Sequence, residues 1–199
     1  MKPQPEAQTG VLDLFRSTGA YLAGHFRLTS GLHSPEYLQC ALVLQHPRHA
    51  EELGTRLADR LAALARPEII TVVASPAIGG LIIGHEVARA LGVRFVFAER
   101  EGGRMTLRRG FEVAPGDKAV VVEDVITTGG STREVVDALR ERGARVVAAG
   151  SIIDRSGGAA DVGVPRAALE TLQVTTYKPE SCPLCAQGIP VIKPGSRAV

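Results

Sequence analysis

The rhythm of apolar residues along this chain changes from a helical to a buried-strand pattern. Near the start, Val11, Leu14, Phe15, Thr18 and Leu22 recur at three- and four-residue steps, the stripe of an amphipathic helix. His25–Leu28 and Tyr37–Val43 read as extended pieces on either side of a turn-rich stretch, Thr29–Pro35. Pro47 suits the first position of a helix, where its missing N–H leaves nothing unpaired, and Leu53, Leu57, Leu61 and Leu64 then repeat on one face. From there the pattern is blockwise. Ile69–Ala74, Arg94–Phe97, Ala119–Val122 and Val146–Ile153 are continuous apolar runs, and Gly80–Leu91 and Ser131–Arg142 read as helices. Val164–Val174 is a candidate last strand, and Thr175–Val199, with four prolines, reads as irregular. Val/Ile runs without alternation, separated by helices, predict an α/β fold with a central parallel sheet flanked by helices on both faces. Ligands of such a sheet gather at the carboxyl ends of its strands, so Ser75–Gly80, Thr127–Ser131 and Asp154–Gly158 are expected together.

One segment carries most of the chemistry: Val120-Val-Val-Glu-Asp-Val-Ile-Thr-Thr-Gly-Gly-Ser-Thr132. A buried strand hands two adjacent acids, Glu123 and Asp124, to a run of small residues that opens a helix. Gly129 and Gly130 let backbone N–H groups close on an anion with no Cβ in the way. The helix start adds donors and the positive end of a dipole. Thr127, Thr128, Ser131 and Thr132 offer hydroxyls. Such a cradle suits a phosphate monoester. The carboxylates would repel phosphate but can accept hydrogen bonds from vicinal hydroxyls. A sugar bearing a 5-phosphate matches both halves. The alternative is a solvated strand end followed by an ordinary capped turn. No G-x-x-x-x-G-K-[ST] loop is present, and no G-x-G-x-x-G follows a strand, which disfavours nucleoside triphosphate and dinucleotide sites.

Composition narrows the reading. The 199 residues carry 23 Lys+Arg against 21 Asp+Glu, a net charge of +2, which gives no basic excess for nucleic acid. Tryptophan is absent, so a base-stacking surface is not expected. No apolar run nears the ~20 residues of a membrane span, and Met1–Gly10 has no apolar signal core, so a cytoplasmic protein without membrane partner is expected. Cys40, Cys182 and Cys185 make no disulfide framework. Cys182-x-x-Cys185 offers two thiolates where structural zinc takes four ligands. Cys40 is remote and the histidines are scattered, so these cysteines are expected in a structural tail. His85 reads as structural, and His33 lies nearer the expected base site.

The strand, acid pair and small-residue turn resemble the signature of type I phosphoribosyltransferases. Three further stretches are similar to orotate phosphoribosyltransferases: Gly24-His-Phe-Arg-Leu-Thr-Ser-Gly-Leu-His-Ser-Pro-Glu-Tyr37, Ser75-Pro-Ala-Ile-Gly-Gly80 and Ile152-Ile-Asp-Arg-Ser-Gly-Gly158. The resemblance runs from about Leu12 to Gly195. It implies one domain over residues 1–199, with a core of about 46–174 and a small hood from about 9–45 plus 175–199. It implies 5-phosphoribosyl-1-pyrophosphate and orotate as substrates, Mg²⁺ as cofactor, orotidine 5′-phosphate as product on the route to UMP, and a homodimer. Residue by residue, it implies that Ala77 and Gly79 meet pyrophosphate, that Tyr37 and Thr29 border the base, and that Arg155 meets the orotate carboxylate. Arginine's planar fork suits that bidentate contact; the bland alternative for Arg155 is a surface pair with Asp154 or Asp161. Asp124 would act on the ribose and reach the metal through water.

The chain departs from the family pattern in places. Thr29 and Gly79 stand where lysines are frequent, and Ala98–Gly110, the mobile loop of the family, has neither lysine nor histidine. Its cations are Arg100, Arg104, Arg108 and Arg109. Arginine keeps its proton at any ordinary pH, so Arg100 and Arg104 would assist by charge and not as general acids. A purine phosphoribosyltransferase, or a regulator that keeps the fold to sense the ribose phosphate without catalysis, are the competing readings.

Overall fold

The computed structural model describes residues 9–28, 30–66 and 68–194. They fall into two compact units, divided at Val43/Leu44 and again at Val174/Thr175. Among the described residues, no helix is long and apolar enough to cross a membrane.

In the first unit, helix α1 (Val11–Ser17) buries Val11, Leu14 and Phe15. The stripe predicted to reach Leu22 stops five residues early. The Thr18 hydroxyl takes the Leu14 carbonyl at 2.7 Å, and Gly19 turns left-handed at φ +66°. That frees Tyr21–Arg27 to form strand β1, antiparallel to β2 (His33–Leu38). The extended piece expected over Tyr37–Val43 ends at Leu38, and Cys40–Leu44 is helix α2. A five-residue apolar run has no periodicity that separates the two states, so tertiary packing settles it. The carboxyl-terminal stretch pairs with this hairpin: Arg27 N–H donates to Ile192 O and Ile192 N–H to His25 O, both at 2.8 Å. It carries helix α6 (Pro183–Ala186). The histidines that looked scattered are not: His25 and His33 meet Cys182 and Cys185 in one cluster.

In the second unit, α3 (Pro47–Ala65) is followed by β3 (Val72–Pro76), α4 (Gly80–Leu91), β4 (Arg94–Glu101), β5 (Arg104–Leu107), β6 (Lys118–Ile126), α5 (Gly130–Glu141), β7 (Arg145–Asp154) and β8 (Arg166–Thr171). The six strands lie in the order β5-β4-β3-β6-β7-β8, parallel except for β5. Residues of successive parity along each strand face opposite layers. Val72, Ala74, Ala119 and Val121 pack with Val135, Val136 and Leu139 of α5. On the other face α3 and α4 cover the sheet. Helix α4 ends where the pattern predicted, because Gly92 adopts the left-handed cap at φ +68° and returns its N–H to the last turn.

The polar stretch Arg100–Gly110 is not an open loop in this structure. It folds as the β4–β5 hairpin, with Gly102 and Gly103 at its turn, both at positive φ. Glycines at positive φ are what a tight antiparallel turn demands.

Helices α3 and α4 cross with little space between them. A Cβ on Gly54 would lie 2.5 Å from Glu86 Cβ and 2.9 Å from its carbonyl carbon. Gly54→Ala would gain about 1 kcal/mol of helix propensity, but overpacking against a backbone outweighs it. We expect a net loss of about 2 kcal/mol and a Tm lower by about 4–8 °C, checked by thermal unfolding. An unchanged or higher Tm would show that the crossing has slack.

Candidate active site

Strand order reverses between β3 and β6: β3 leads through α4 to β4 on one side, and β6 leads through α5 to β7 on the other. A crevice opens at the carboxyl ends of strands at such a switch point. Here β3 pairs with β6 only as far as Ala74↔Val121, whereas β6 continues beside β7 to Ile126↔Asp154. Glu123 and Asp124 therefore lie within the strand and not after it, on the stretch of β6 that β3 no longer covers. The sequence pattern placed the strand end too early because charged residues look like a terminus even where a ladder on one side holds them.

The two acids differ in surroundings. Glu123 accepts a hydrogen bond from the hydroxyl of Thr132, which is fully buried. Burial pushes the Glu123 carboxyl up to about 7, with Asp124 adding to the rise against the opposing Thr132 bond. Burial also raises Asp124, while the Val125 amide, 2.9 Å from Oδ1, opposes it. Holding a proton more readily than an ordinary carboxyl, Glu123 eases the repulsion between the adjacent acids. Thr132 was grouped with the phosphate cradle; the structure gives its hydroxyl to Glu123 instead, so it orients a carboxylate.

The rest of the cradle is exposed where an anion would need it. Thr127, Thr128 and Gly130 are exposed and Ser131 is half-buried. Gly129, the N-cap of α5, is left-handed at φ +82°, and a Cβ there would lie 2.8 Å from Val162. No side chain caps the first amides of α5. The facing loop is equally constrained. Ala77 donates its N–H to Ala98 O at 2.8 Å, and the Ala77–Ile78 peptide is cis. A Cβ on Gly79 would stand 2.6 Å from Asp124 Oδ1. A side chain here would require the Asp124 carboxylate to turn away from its present position.

The third loop follows β7. Asp154 is 1 % exposed and accepts from the Ser156 amide at 2.8 Å, the Ser156 hydroxyl at 2.6 Å and the Arg166 guanidinium. Burial pushes this carboxyl up, but Ser156 and Arg166 outweigh it and hold it below the usual carboxylate range. Arg166 also donates to Ala160 O at 2.8 Å, so both ends of the loop bearing Arg155 are tied. Asp154 pairs with Arg166, and Asp161 with Arg133. Arg166 had no local signal; it is recognisable only once β7 and β8 lie side by side.

The hairpin arginines are not gathered at the acids. Arg100 pairs with Glu134 and Arg104 with Glu141, both on α5, and Arg109 forms a bidentate pair with Glu99 at 2.7 and 2.8 Å. Tyr37 belongs to β2 of the first unit, its ring 5.8 Å from Phe26. Thr29 lies outside the described residues.

Comparison with known proteins agrees with this geometry. Residues 43–167 match the phosphoribosyl transferase domain family. The orotate phosphoribosyltransferase of Pelotomaculum thermopropionicum is 58% identical over 189 residues, covering 95% of this chain and 97% of that protein. The chain belongs to the orotate phosphoribosyltransferase family. A second member, from Heliobacterium modesticaldum, is 54% identical, with 96% of this chain and 99% of that one covered. The crystal structure of orotate phosphoribosyltransferase from Aeropyrum pernix superposes with a TM-score of 0.68 at 27% identity, covering 82% of this chain and 94% of that one. The central mostly parallel sheet with flanking helices is that family's fold.

Proposed function

We propose that this chain transfers the 5-phosphoribosyl group from 5-phosphoribosyl-1-pyrophosphate to orotate, giving orotidine 5′-phosphate and pyrophosphate in de novo pyrimidine synthesis. The observation that carries the reading is the pair Glu123–Asp124 on the uncovered stretch of β6, running directly into an exposed hydroxyl-and-glycine turn and an uncapped helix start. The turn and the first amides of α5 hold the 5-phosphate, and the acids accept from the ribose hydroxyls. The loop at Ala77–Gly79 faces the pyrophosphate. Arg155 grips the carboxylate of the base.

Bond breaking at C1′ runs ahead of attack, so the protein's task is to position two anions and stabilise the departing charge. The residues fit Mg²⁺: Asp124 offers a hard oxygen donor, and Gly79 keeps the space beside it clear. When bound, through water at Asp124, that ion would neutralise charge on the leaving pyrophosphate. Arg100 and Arg104 can add positive charge only after leaving Glu134 and Glu141. Those pairs are solvent-exposed, and such pairs contribute about 0–1 kcal/mol, so release is easy. A homodimer is proposed on family resemblance, and a cytoplasmic location on the sparse cysteines, which form no disulfide framework among the described residues.

The test is direct. Purified protein with Mg²⁺, the activated ribose phosphate and orotate is expected to consume orotate, followed by its absorbance, and to leave hypoxanthine, guanine, adenine and uracil untouched. Turnover of a purine without turnover of orotate would overturn the substrate. Arg155→Ala is expected to lower kcat/KM for orotate by about 10–100-fold, the worth of a charged hydrogen-bonded contact, with little change in the KM of the ribose donor. An unaltered orotate profile would remove Arg155 from the base site.

A further inference from the structure

The first unit holds a cluster that the transferase reaction does not use. His25 stands on β1, His33 opens β2, and Cys182 and Cys185 bracket the start of α6. One ligating atom from each lies within 4.8 Å of every other. His25 Nε2 is 2.8 Å from His33 Nδ1, 3.5 Å from Cys182 Sγ and 3.7 Å from Cys185 Sγ, and Cys185 Sγ is 3.3 Å from His33 Nδ1. Metal–ligand lengths of about 2.0–2.3 Å in a tetrahedron require edges of about 3.3–3.8 Å. Three of these four separations fall in that range, and the imidazole pair needs to open only slightly.

The orientation of the first histidine is also that of a ligand. His25 Nδ1 is 2.7 Å from the Ile189 carbonyl. A carbonyl can only accept, so Nδ1 carries the proton and the Nε2 lone pair faces the sulfurs. A ring nitrogen anchored on backbone while the other turns to the metal is the usual outer support of such sites.

Packing shows what the cluster is for. Among described residues 175–194, Cys182 is the one that is buried. Apart from the half-buried Tyr177 and Leu184, little apolar surface anchors this stretch, although its backbone is laced to the hairpin. Small units with little core need a cross-link.

The geometry points to a structural zinc site, His25–His33–Cys182–Cys185, that fastens the carboxyl-terminal stretch to the β1–β2 hairpin. Two thiolates and two imidazoles suit Zn²⁺ and not the hard ions of phosphate chemistry. Binding releases the two thiol protons, and the resulting centre is neutral. Four protein ligands leave no position open, so the ion has no part in the reaction.

The full chain, purified without chelator, is expected to carry about one zinc per molecule by elemental analysis. Replacing zinc with Co²⁺ should give thiolate-to-cobalt charge transfer and the visible bands of tetrahedral cobalt. Cys182→Ser and Cys185→Ser should lose both metal and bands, whereas Cys40→Ser should keep them. His33→Cys preserves four soft ligands and should retain zinc, with altered cobalt bands, which separates loss of a ligand from loss of the fold. A well-folded wild-type chain that neither holds zinc nor gives the cobalt bands after reduction would overturn the proposal. So would retention of full zinc content by both cysteine variants. None of these measurements uses transferase activity.

Discussion

Asp124→Asn is expected to lose about 100-fold or more in kcat while the protein stays folded. The carboxylate lies on the stretch of β6 that β3 no longer covers, with burial raising it and the Val125 amide accounting for part of its hydrogen bonding. A raised carboxyl means that the folded state resists the charge. In the proposed site that charge would accept from the sugar hydroxyls. Asparagine keeps the shape and one acceptor oxygen but removes the charge, so the Tm should hold or rise. The pairing of lost turnover with an undiminished Tm is the signature to seek, in steady-state kinetics beside thermal unfolding. Near-normal kcat would reject the placement of the ribose, and a collapsed Tm would recast Asp124 as a structural residue.

Asp154→Asn is expected to cost about 3 kcal/mol of stability, the loss typical when one partner of a buried ion pair is removed, or a Tm lower by about 6–12 °C. Side-chain exposure is 1% for Asp154 and 15% for Arg166, so the arginine left behind cannot easily recover solvation. The pH dependence has a definite sign. The folded carboxyl lies below the unfolded value of about 3.9. Its stabilisation is therefore complete above that value and is lost as pH falls from there through the folded pKa. The native chain should lose stability more steeply than the variant in that acid window, measured by denaturant unfolding across pH. Parallel curves would mean that the pair contributes nothing by charge. The loop carrying Arg155 is also tied by this network, so the orotate KM should rise in the variant.

How much of this could be read before the fold was known depends on how local each feature is. Helices α4 and α5 and the central strands follow from runs of five to twelve residues whose apolar pattern is set by near neighbours. The acid pair, its glycines and its hydroxyls are contiguous, so the proposed phosphate cradle is legible as a string. Short or two-faced stretches were not: Cys40–Leu44 serves as helix although it scans as strand, and the glycine-rich hairpin scans as a loop. Arg100 and Arg104 carried the right charge, but the sequence could not say that glutamates on α5 hold them.

By itself, then, the chain's sequence determined the α/β class, the order of most elements and the contiguous string of acids, glycines and hydroxyls proposed as the phosphate site, because those rest on residues a few positions apart. Tertiary structure alone decided that Thr132 serves Glu123, that Gly79 must leave room for Asp124, that Arg166 locks the loop of Arg155, and that His25 meets Cys185. Each of those pairs is brought together by strand order or by the close of the first unit across up to 160 positions. No side chain can signal over such a distance until backbone pairing and burial have brought its partner within reach.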